Sequence, residues 1–230
     1  MSWRENAKKM AAVKAIDHVR DGFIIGLGSG TTVAYACQEL GKRIRQRELR
    51  IFGVPTSYQA HFLAVQHHIP TTTLDEHPKL DVSIDGADQV DADLNMIKGM
   101  GGALTREKIV ATASRMNVVV IDETKLTKKL GMNHAVPIEV LPFALPTVMA
   151  GLKELGSTPV LREAERKLGP VVTDNGNFIL DVGFGSIDNP GELHQRLKAI
   201  PGIVETGLFV GMAKVVYVGG RDAVRRLEKG

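Results

Sequence analysis

Apolar residues recur at helical spacing between positions 5 and 19, at Met10, Val13, Ala15, Ile16 and Val19, which predicts a helix with one buried face. Asp21-Gly22 breaks that period, and Phe23-Ile24-Ile25 opens a short strand without a polar face. A glycine-rich turn follows, and 33–44 reads as helix. Residues 51–54 form the next apolar strand, ending at Pro55-Thr56-Ser57, with a helix after it through Gln66. Residues 80–84 and 118–121 are further apolar strands, separated by a helix over 105–116. Strands apolar on both faces, alternating with amphipathic helices, predict βαβ units and a mostly parallel sheet with covering helices. In such sheets ligands lie beyond the carboxyl ends of the strands, so the loops leaving them are where chemistry is expected.

Beyond about Lys129 the pattern changes. Residues 136–141 predict a strand bracketed by Pro137 and Pro142, 146–155 a helix, and Val160-Leu161 a short strand. Val171-Val172-Thr173, Asp174-Asn175-Gly176-Asn177 and then 178–182 read as a hairpin, because Asn-Gly tolerates the positive φ of a tight primed turn. Asn189-Pro190 starts a helix through Ile200, with proline at the first helical position. Strand, helix, two strands, helix, strand is the order of a split βαβ insert. Residues 215–218 are expected to return to the main sheet, and 222–229 to form a final helix. The expected division is 1–130 plus 206–230 for the parallel-sheet domain and 131–205 for the α+β insert.

Composition narrows the function. The chain has 230 residues, 43% hydrophobic and 24% charged, an ordinary globular balance with enough length for a real core. A net charge of +3, from 29 basic and 26 acidic residues, gives no reason to invoke nucleic acid or an anionic membrane, although the isoelectric point is near 9.0. The densest basic stretch, 42–50, reads as a solvated helix end. The single cysteine, Cys37, sits in a run of small residues; it excludes an intramolecular disulfide, fits a reducing compartment and reads as a buried small hydrophobe. The N-terminal stretch MSWRENAKKMAAVK lacks the apolar core of a signal peptide, and no apolar run is long enough to span a bilayer. The cytoplasm is the expected location.

Three loops carry candidate chemistry. In Gly26-Leu27-Gly28-Ser29-Gly30-Thr31-Thr32, between strand and helix, glycines let backbone amides approach an anion and the helix start adds positive partial charge. A dinucleotide fingerprint would need a glycine where Thr31 stands and an acidic residue after the second strand, and no Walker Gly-Lys-Ser/Thr is present. A phosphomonoester is favoured, with a structural tight turn as the alternative. Asp85-Gly86-Ala87-Asp88 places two carboxylates at a strand's carboxyl end, suited to proton transfer; turn capping and a magnesium site compete with that reading. The spacing of a calcium loop fails at Ala87 and Gln89. In KGMGGALTREKI, 98–109, Lys98 and the loop amides suit an oxyanion and Glu107 suits a base, against a flexible loop with a surface glutamate. Together these supply the anchor, the proton carrier and the enediolate donors of an aldose–ketose isomerisation. The seven histidines, at 18, 61, 67, 68, 77, 134 and 194, show no HExxH or comparable metal-ligand spacing.

With these residues assembled, the chain resembles type A ribose-5-phosphate isomerases nearly end to end, most specifically in GLGSGTT (26–32), DGAD (85–88), KGMGGALTREKI (98–109) and VVTDNGNFILDV (171–182). The resemblance implies an α/β fold, a Rossmann-like domain with an inserted ferredoxin-like α+β domain, assembled as a homodimer or homotetramer. It implies interconversion of D-ribose 5-phosphate and D-ribulose 5-phosphate in the non-oxidative pentose phosphate pathway, with no cofactor and no metal. Carried onto matching positions, Glu107 is the base that moves a proton between C2 and C1. Asp85 assists ring opening, with Asp88 nearby, and Lys98 with the amides of Gly99, Met100 and Gly101 holds the enediolate. Ser29, Gly30, Thr31 and Thr32 take the phosphate, helped by Lys125 and Lys8, while Gly86 and Ala87 line the substrate. Met100 departs from the plain glycine run common in the family. The rival from another class is a non-catalytic sugar-phosphate sensor, which is expected to carry a DNA-binding unit; residues 1–22 show no helix-turn-helix pattern. An acyl-transfer or ligase relative, binding a nucleotide or thioester, is the second rival.

Overall fold

The computed structural model describes residues 2–228. In chain order its main elements are α1 (Trp3–Ala15), β1 (Ile24–Leu27), α2 (Thr31–Arg45), β2 (Phe52–Pro55), α3 (Tyr58–Gln66), β3 (Val82–Asp85), β4 (Gln89–Val90), β5 (Met96–Ile97), α4 (Leu104–Ala113), β6 (Asn117–Asp122), β7 (Val136–Val140), α5 (Leu145–Glu154), β8 (Thr158–Leu161), β9 (Phe178–Gly183), α6 (Pro190–Lys198), β10 (Ile203–Thr206), β11 (Leu208–Phe209), β12 (Val215–Gly219) and β13 (Val224–Glu228). They form two compact units. The first comprises 1–87, 106–125 and 211–230, and the second 88–105 and 126–210.

The first unit is a six-stranded sheet in the order β13-β12-β6-β3-β1-β2. Every pairing is parallel except β12 with β13. Strand alternation divides its side chains. Ile25, Leu27, Val82, Ile84, Val118, Val120, Val215 and Tyr217 pack with α1, α2 and α3 residues such as Ala15, Leu40 and Ala64, while Val54, Leu80 and Val110 cluster separately with Ile24. Close approach explains two glycines: a Cβ on Gly26 would lie 2.4 Å from Val110 Cγ1 of α4, and one on Gly219 would lie 2.0 Å from the carbonyl oxygen of Ala7. Alanines line α1 for the same reason, with Ala7, Ala11, Ala12 and Ala15 all fully buried. Ser2 caps this helix by accepting from the Glu5 amide.

The second unit holds a four-stranded antiparallel sheet in the order β10-β7-β9-β8. Joined by α5 and α6 in the sequence β7-α5-β8-β9-α6-β10, this is the split βαβ, ferredoxin-like arrangement. Val136, Ile138, Val140, Leu180 and Val182 of the sheet bury against Val148 and Leu152 of α5 and Leu197 of α6. Asn189 caps α6 by accepting from the Glu192 amide, and Pro190 stands at its start. A small antiparallel sheet, β11-β5-β4, completes the unit; the unit takes in 88–105, which lies outside the expected 131–205.

Two sequence expectations are corrected. Residues 224–228 form edge strand β13, antiparallel to β12, in place of the expected final helix; position 229 lies outside the described residues. Residues 171–173 do not form a strand, and Val172 makes an isolated bridge to Phe178. The turn between is not the primed type either. Gly176 N–H donates to Thr173 O at 2.9 Å, and Gly176 has φ 80° while Asn175 is absent from the positive-φ residues. That is a type I turn followed by a left-handed glycine, the three-residue hairpin solution.

Candidate active site

In the first unit β1 lies between β2 and β3, so the chain leaves β1 in one direction and β3 stands on the other side. The carboxyl ends of β1 and β3 therefore form a topological switch point, where open α/β sheets bind ligands. Register brings the ends level: Leu27 pairs with Pro55 on one side and Ile84 on the other. The loops at 28–30, 56–57 and 85–87 thus leave the sheet together.

Their hydrogen bonds weave them into one cradle. Gly28 N–H donates to Ile84 O at 2.9 Å. Asp85 Oδ1 accepts from the amides of Ser29 at 3.1 Å and Gly86 at 2.7 Å. Only glycine fits at position 28, since a Cβ there would lie 2.1 Å from Asp85 Oδ1. Ser29 Oγ is 2.9 Å from Thr56 Oγ1 and 2.6 Å from Ser57 Oγ, and Ser57 also caps α3 by accepting from Ala60 N–H at 3.1 Å. The start of α2 has Gly30 as its cap residue, at φ 99° and ψ 176°, with no side-chain cap. Its first-turn amides and dipole are presented to this loop, the arrangement that attracts an anion. Gly30 N–H itself donates to Gln59 Oε1 at 2.8 Å.

Lys8 reaches the same place, with Nζ 3.2 Å from Thr31 Oγ1 and 2.9 Å from Glu5 Oε1. Tyr35 donates to the other oxygen of Glu5 at 2.7 Å. These bonds, from Tyr35 first and then Lys8, hold the Glu5 carboxyl below its ordinary range. Glu107 is 6% exposed in the first turns of α4, where the helix dipole favours a carboxylate. Lys125 ends a short 3₁₀ turn, Glu123–Lys125, directly after β6.

In the second unit, Lys98 is 4% exposed, and its Nζ lies 5.4 Å from the centre of the Phe209 ring, a cation–π contact. Its amide donates to Gly207 O at 2.9 Å, anchoring the start of the glycine loop. Gly99 and Gly102 take φ of 109° and 74°, and Gly102 N–H closes a turn on Gly99 O at 3.0 Å. Asp88 Oδ2 accepts from Met100 N–H at 3.0 Å. Arg162 clamps the loop from its carbonyl side, Nη1 donating to Gly99 O at 3.0 Å and Met100 O at 2.9 Å, while Nε donates to Asp181 Oδ2 at 2.8 Å.

The structure therefore brings Ser29, Gly30, Thr31, Asp85, Gly86 and Lys8 together within the first unit. Asp88, Lys98, Gly99, Met100 and Gly101 share one loop region of the second. Both aspartates cap backbone amides, as the turn reading of DGAD expected. Sequence reasoning missed Thr56, Ser57 and Gln59, although a Pro-Thr-Ser ending on a strand was a legible pointer to hydroxyls at the sheet edge. It also missed Arg162 and Asp181, which no local signal marks. Among the described residues no group of three or more His, Cys, Asp or Glu is placed to hold a metal ion.

An open α/β sheet with an anion-type cradle at its switch point, joined to a split βαβ unit, defines the class of this protein. The family model for ribose 5-phosphate isomerase A (phosphoriboisomerase A) matches residues 52–223. The ribose-5-phosphate isomerase A of Methanothermobacter thermautotrophicus is 49% identical over 222 residues, 96% of this chain and 97% of that protein. That of Thermosynechococcus vestitus is 51% identical over 225 residues, covering 96% and 95%. Among solved structures, ribose 5-phosphate isomerase A from Methanocaldococcus jannaschii superposes with a TM-score of 0.94 at 46% identity, over 98% of this chain and 99% of that one. A D-ribose-5-phosphate isomerase in complex with phospho-erythronic acid gives 0.97 at 44% identity over the whole of both chains. The chain belongs to the ribose 5-phosphate isomerase A family.

Proposed function

We propose that this chain interconverts D-ribose 5-phosphate and D-ribulose 5-phosphate through an enediolate. The observation that carries the reading is the cradle at the β1–β3 switch point, where an uncapped helix start, three hydroxyls and the Asp85 carboxylate converge. Family membership supports it, as does a solved relative holding a four-carbon phosphorylated sugar acid. The phosphate sits at Ser29, Gly30, Thr31 and Thr32, with Lys8 and Lys125 adding positive charge.

The chemistry follows as a proton relay. Asp85 takes the anomeric hydroxyl proton as the bond between C1 and the ring oxygen breaks, and that proton passes to the ring oxygen, which leaves the open aldehyde. Glu107 removes the C2 proton of the open aldehyde, the C–H pair becomes the C1–C2 double bond, and the charge moves to O1. Lys98 and the glycine-loop amides, which enter through the sequence motif, stabilise that oxygen. Asp85 passes the O2 proton to O1, the electrons left on O2 form the ketone, and the C1–C2 double-bond pair takes the proton back from Glu107 at C1. Hydrogen moves as a proton throughout, so no redox cofactor takes part. A buried carboxylate suits this task, since positioned general bases contribute about 10²- to 10⁴-fold. Assembly as a homodimer or homotetramer and residence in the cytoplasm belong to the same proposal, resting on the family resemblance and on the buried, unpaired Cys37. Among the described residues no helix is long and apolar enough to cross a membrane.

The test is incubation of purified protein with ribose 5-phosphate in excess EDTA, following ribulose 5-phosphate. Sustained conversion is expected. Binding of ribose 5-phosphate without conversion would favour the sensor, and activity that vanishes with EDTA and returns with a divalent ion would overturn the metal-free route.

A further inference from the structure

Glu139 lies on β7 with no exposed surface, opposite the strand face that Ile138 and Val140 turn to the core. A carboxylate is costly to bury unless its oxygens are matched by donors, and here they are. Oε1 accepts from Thr173 Oγ1 at 2.8 Å, Asn177 Nδ2 at 2.9 Å and Asn175 Nδ2 at 3.0 Å. Oε2 accepts from Thr105 Oγ1 at 2.5 Å. Three of these donors come from the turn in VVTDNGNFILDV, a motif for which the proposed chemistry has no other use. The fourth opens α4, two residues before Glu107.

We propose that Glu139 is a positioning residue for the isomerisation, with the 173–177 turn serving to hold its carboxylate so that it pins Thr105 and fixes the start of the helix carrying Glu107. The proposal rests on the reading of Glu107 as the base. The turn's own geometry supports it. Thr173 Oγ1 accepts from the amides of Asn175 at 3.2 Å and Asn177 at 3.1 Å while donating to Glu139, so the hydroxyl is oriented toward the carboxylate. Asn175 and Asn177 then aim their side-chain amides at the same oxygen. One oxygen is saturated by a rigid turn, and the other is left directed at Thr105. Helix starts move easily because their first amides lack intrahelical partners; a side-chain bond from the second residue of α4 to a fixed buried acceptor removes that freedom.

The experiment compares Thr105→Val, Thr105→Ser, Thr173→Val, Glu139→Gln and Glu107→Gln for kcat, KM and melting temperature. Thr105→Val removes the donor without changing shape. A misplacement of about 1 Å near the chemistry costs on the order of 10²-fold, so kcat is expected to fall about tenfold to a hundredfold, with KM and melting near wild type. Thr105→Ser, which keeps the hydroxyl, restores kcat. Thr173→Val leaves Oε2 to Thr105 and is expected to lower melting more than kcat. Wild-type kcat in Thr105→Val, or equal kcat losses in the valine and serine variants, overturns the proposal. Should Glu139→Gln fail to fold, the two Thr105 variants decide alone. Inactive Glu107→Gln beside fully active Thr105→Val rejects positioning while the base stands; active Glu107→Gln rejects the base itself, and the proposal falls with it.

Discussion

Gly28 offers the sharpest structural test of the cradle, because its backbone would accept alanine while its surroundings would not. An added Cβ would lie 2.1 Å from Asp85 Oδ1, 2.2 Å from Cγ and 2.6 Å from Cβ. Ordinary contact begins at about 3.5 Å, so the carboxylate must retreat by about 1.4 Å. That movement breaks the bonds Oδ1 accepts from Ser29 and Gly86. Bonds to a charged group contribute about 1.5–3 kcal/mol each, but Asp85 is only half-buried and water replaces part of what is lost. The remainder lies in the upper part of the overpacking range, about 2–3 kcal/mol. For a chain of this size that lowers the melting temperature by about 4–12 °C. A shift of this size in Asp85 also lowers kcat on the order of tenfold or more. Calorimetry and steady-state conversion of ribose 5-phosphate read both effects. Gly30→Ala is the control with a different cause: nothing lies within 4 Å of its Cβ, but φ 99° with ψ 176° is a region only glycine occupies freely, costing about 1–3 kcal/mol. That variant loses stability and phosphate affinity without pushing on Asp85. Wild-type melting and turnover in Gly28→Ala would refute the close packing of loop on carboxylate.

Thr31→Ala removes a hydroxyl beside Lys8 and is expected to raise KM more than it lowers kcat, since a phosphate contact is made equally in ground and transition states; a selective kcat loss would count against simple anchoring. Arg162→Lys loses the fork that grips Asp181 and the carbonyls of Gly99 and Met100, costing about 1–3 kcal/mol by thermal unfolding and lowering kcat; unchanged kcat would show that the loop holds its shape unaided. Burial pushes the Cys37 thiol up to about 12, so at pH 8 its thiolate fraction is about one in ten thousand. A disulfide reagent is expected to label the protein only after denaturation, and prompt labelling of the folded protein would contradict the burial.

The sheet was legible where periodicity and burial agree. Ile24 with Ile25, and all four residues of 118–121, are apolar at consecutive positions because both faces of the sheet are covered, and runs of that kind announce parallel strands. β13 was not legible because half-buried Val224 and Leu227 stand three apart among helix-favouring residues. Edge pairing with β12 overrides that propensity. β4, β5 and β11 are two residues long, too short for a period, and Leu208 meets Ile97 only through the folded chain. The glycine loops and their carboxylates announced themselves by residue type. Arg162 and Glu139 did not, because an arginine about sixty residues from its loop and a lone glutamate within an apolar strand acquire meaning only from their partners.

The proposed isomerisation turns on Glu107 as the carrier of the proton. The direct test is the turnover of Glu107→Gln measured beside its affinity for phospho-erythronic acid. Retained binding with kcat lowered about 10²- to 10⁴-fold is expected; near-normal kcat would remove Glu107 from that role.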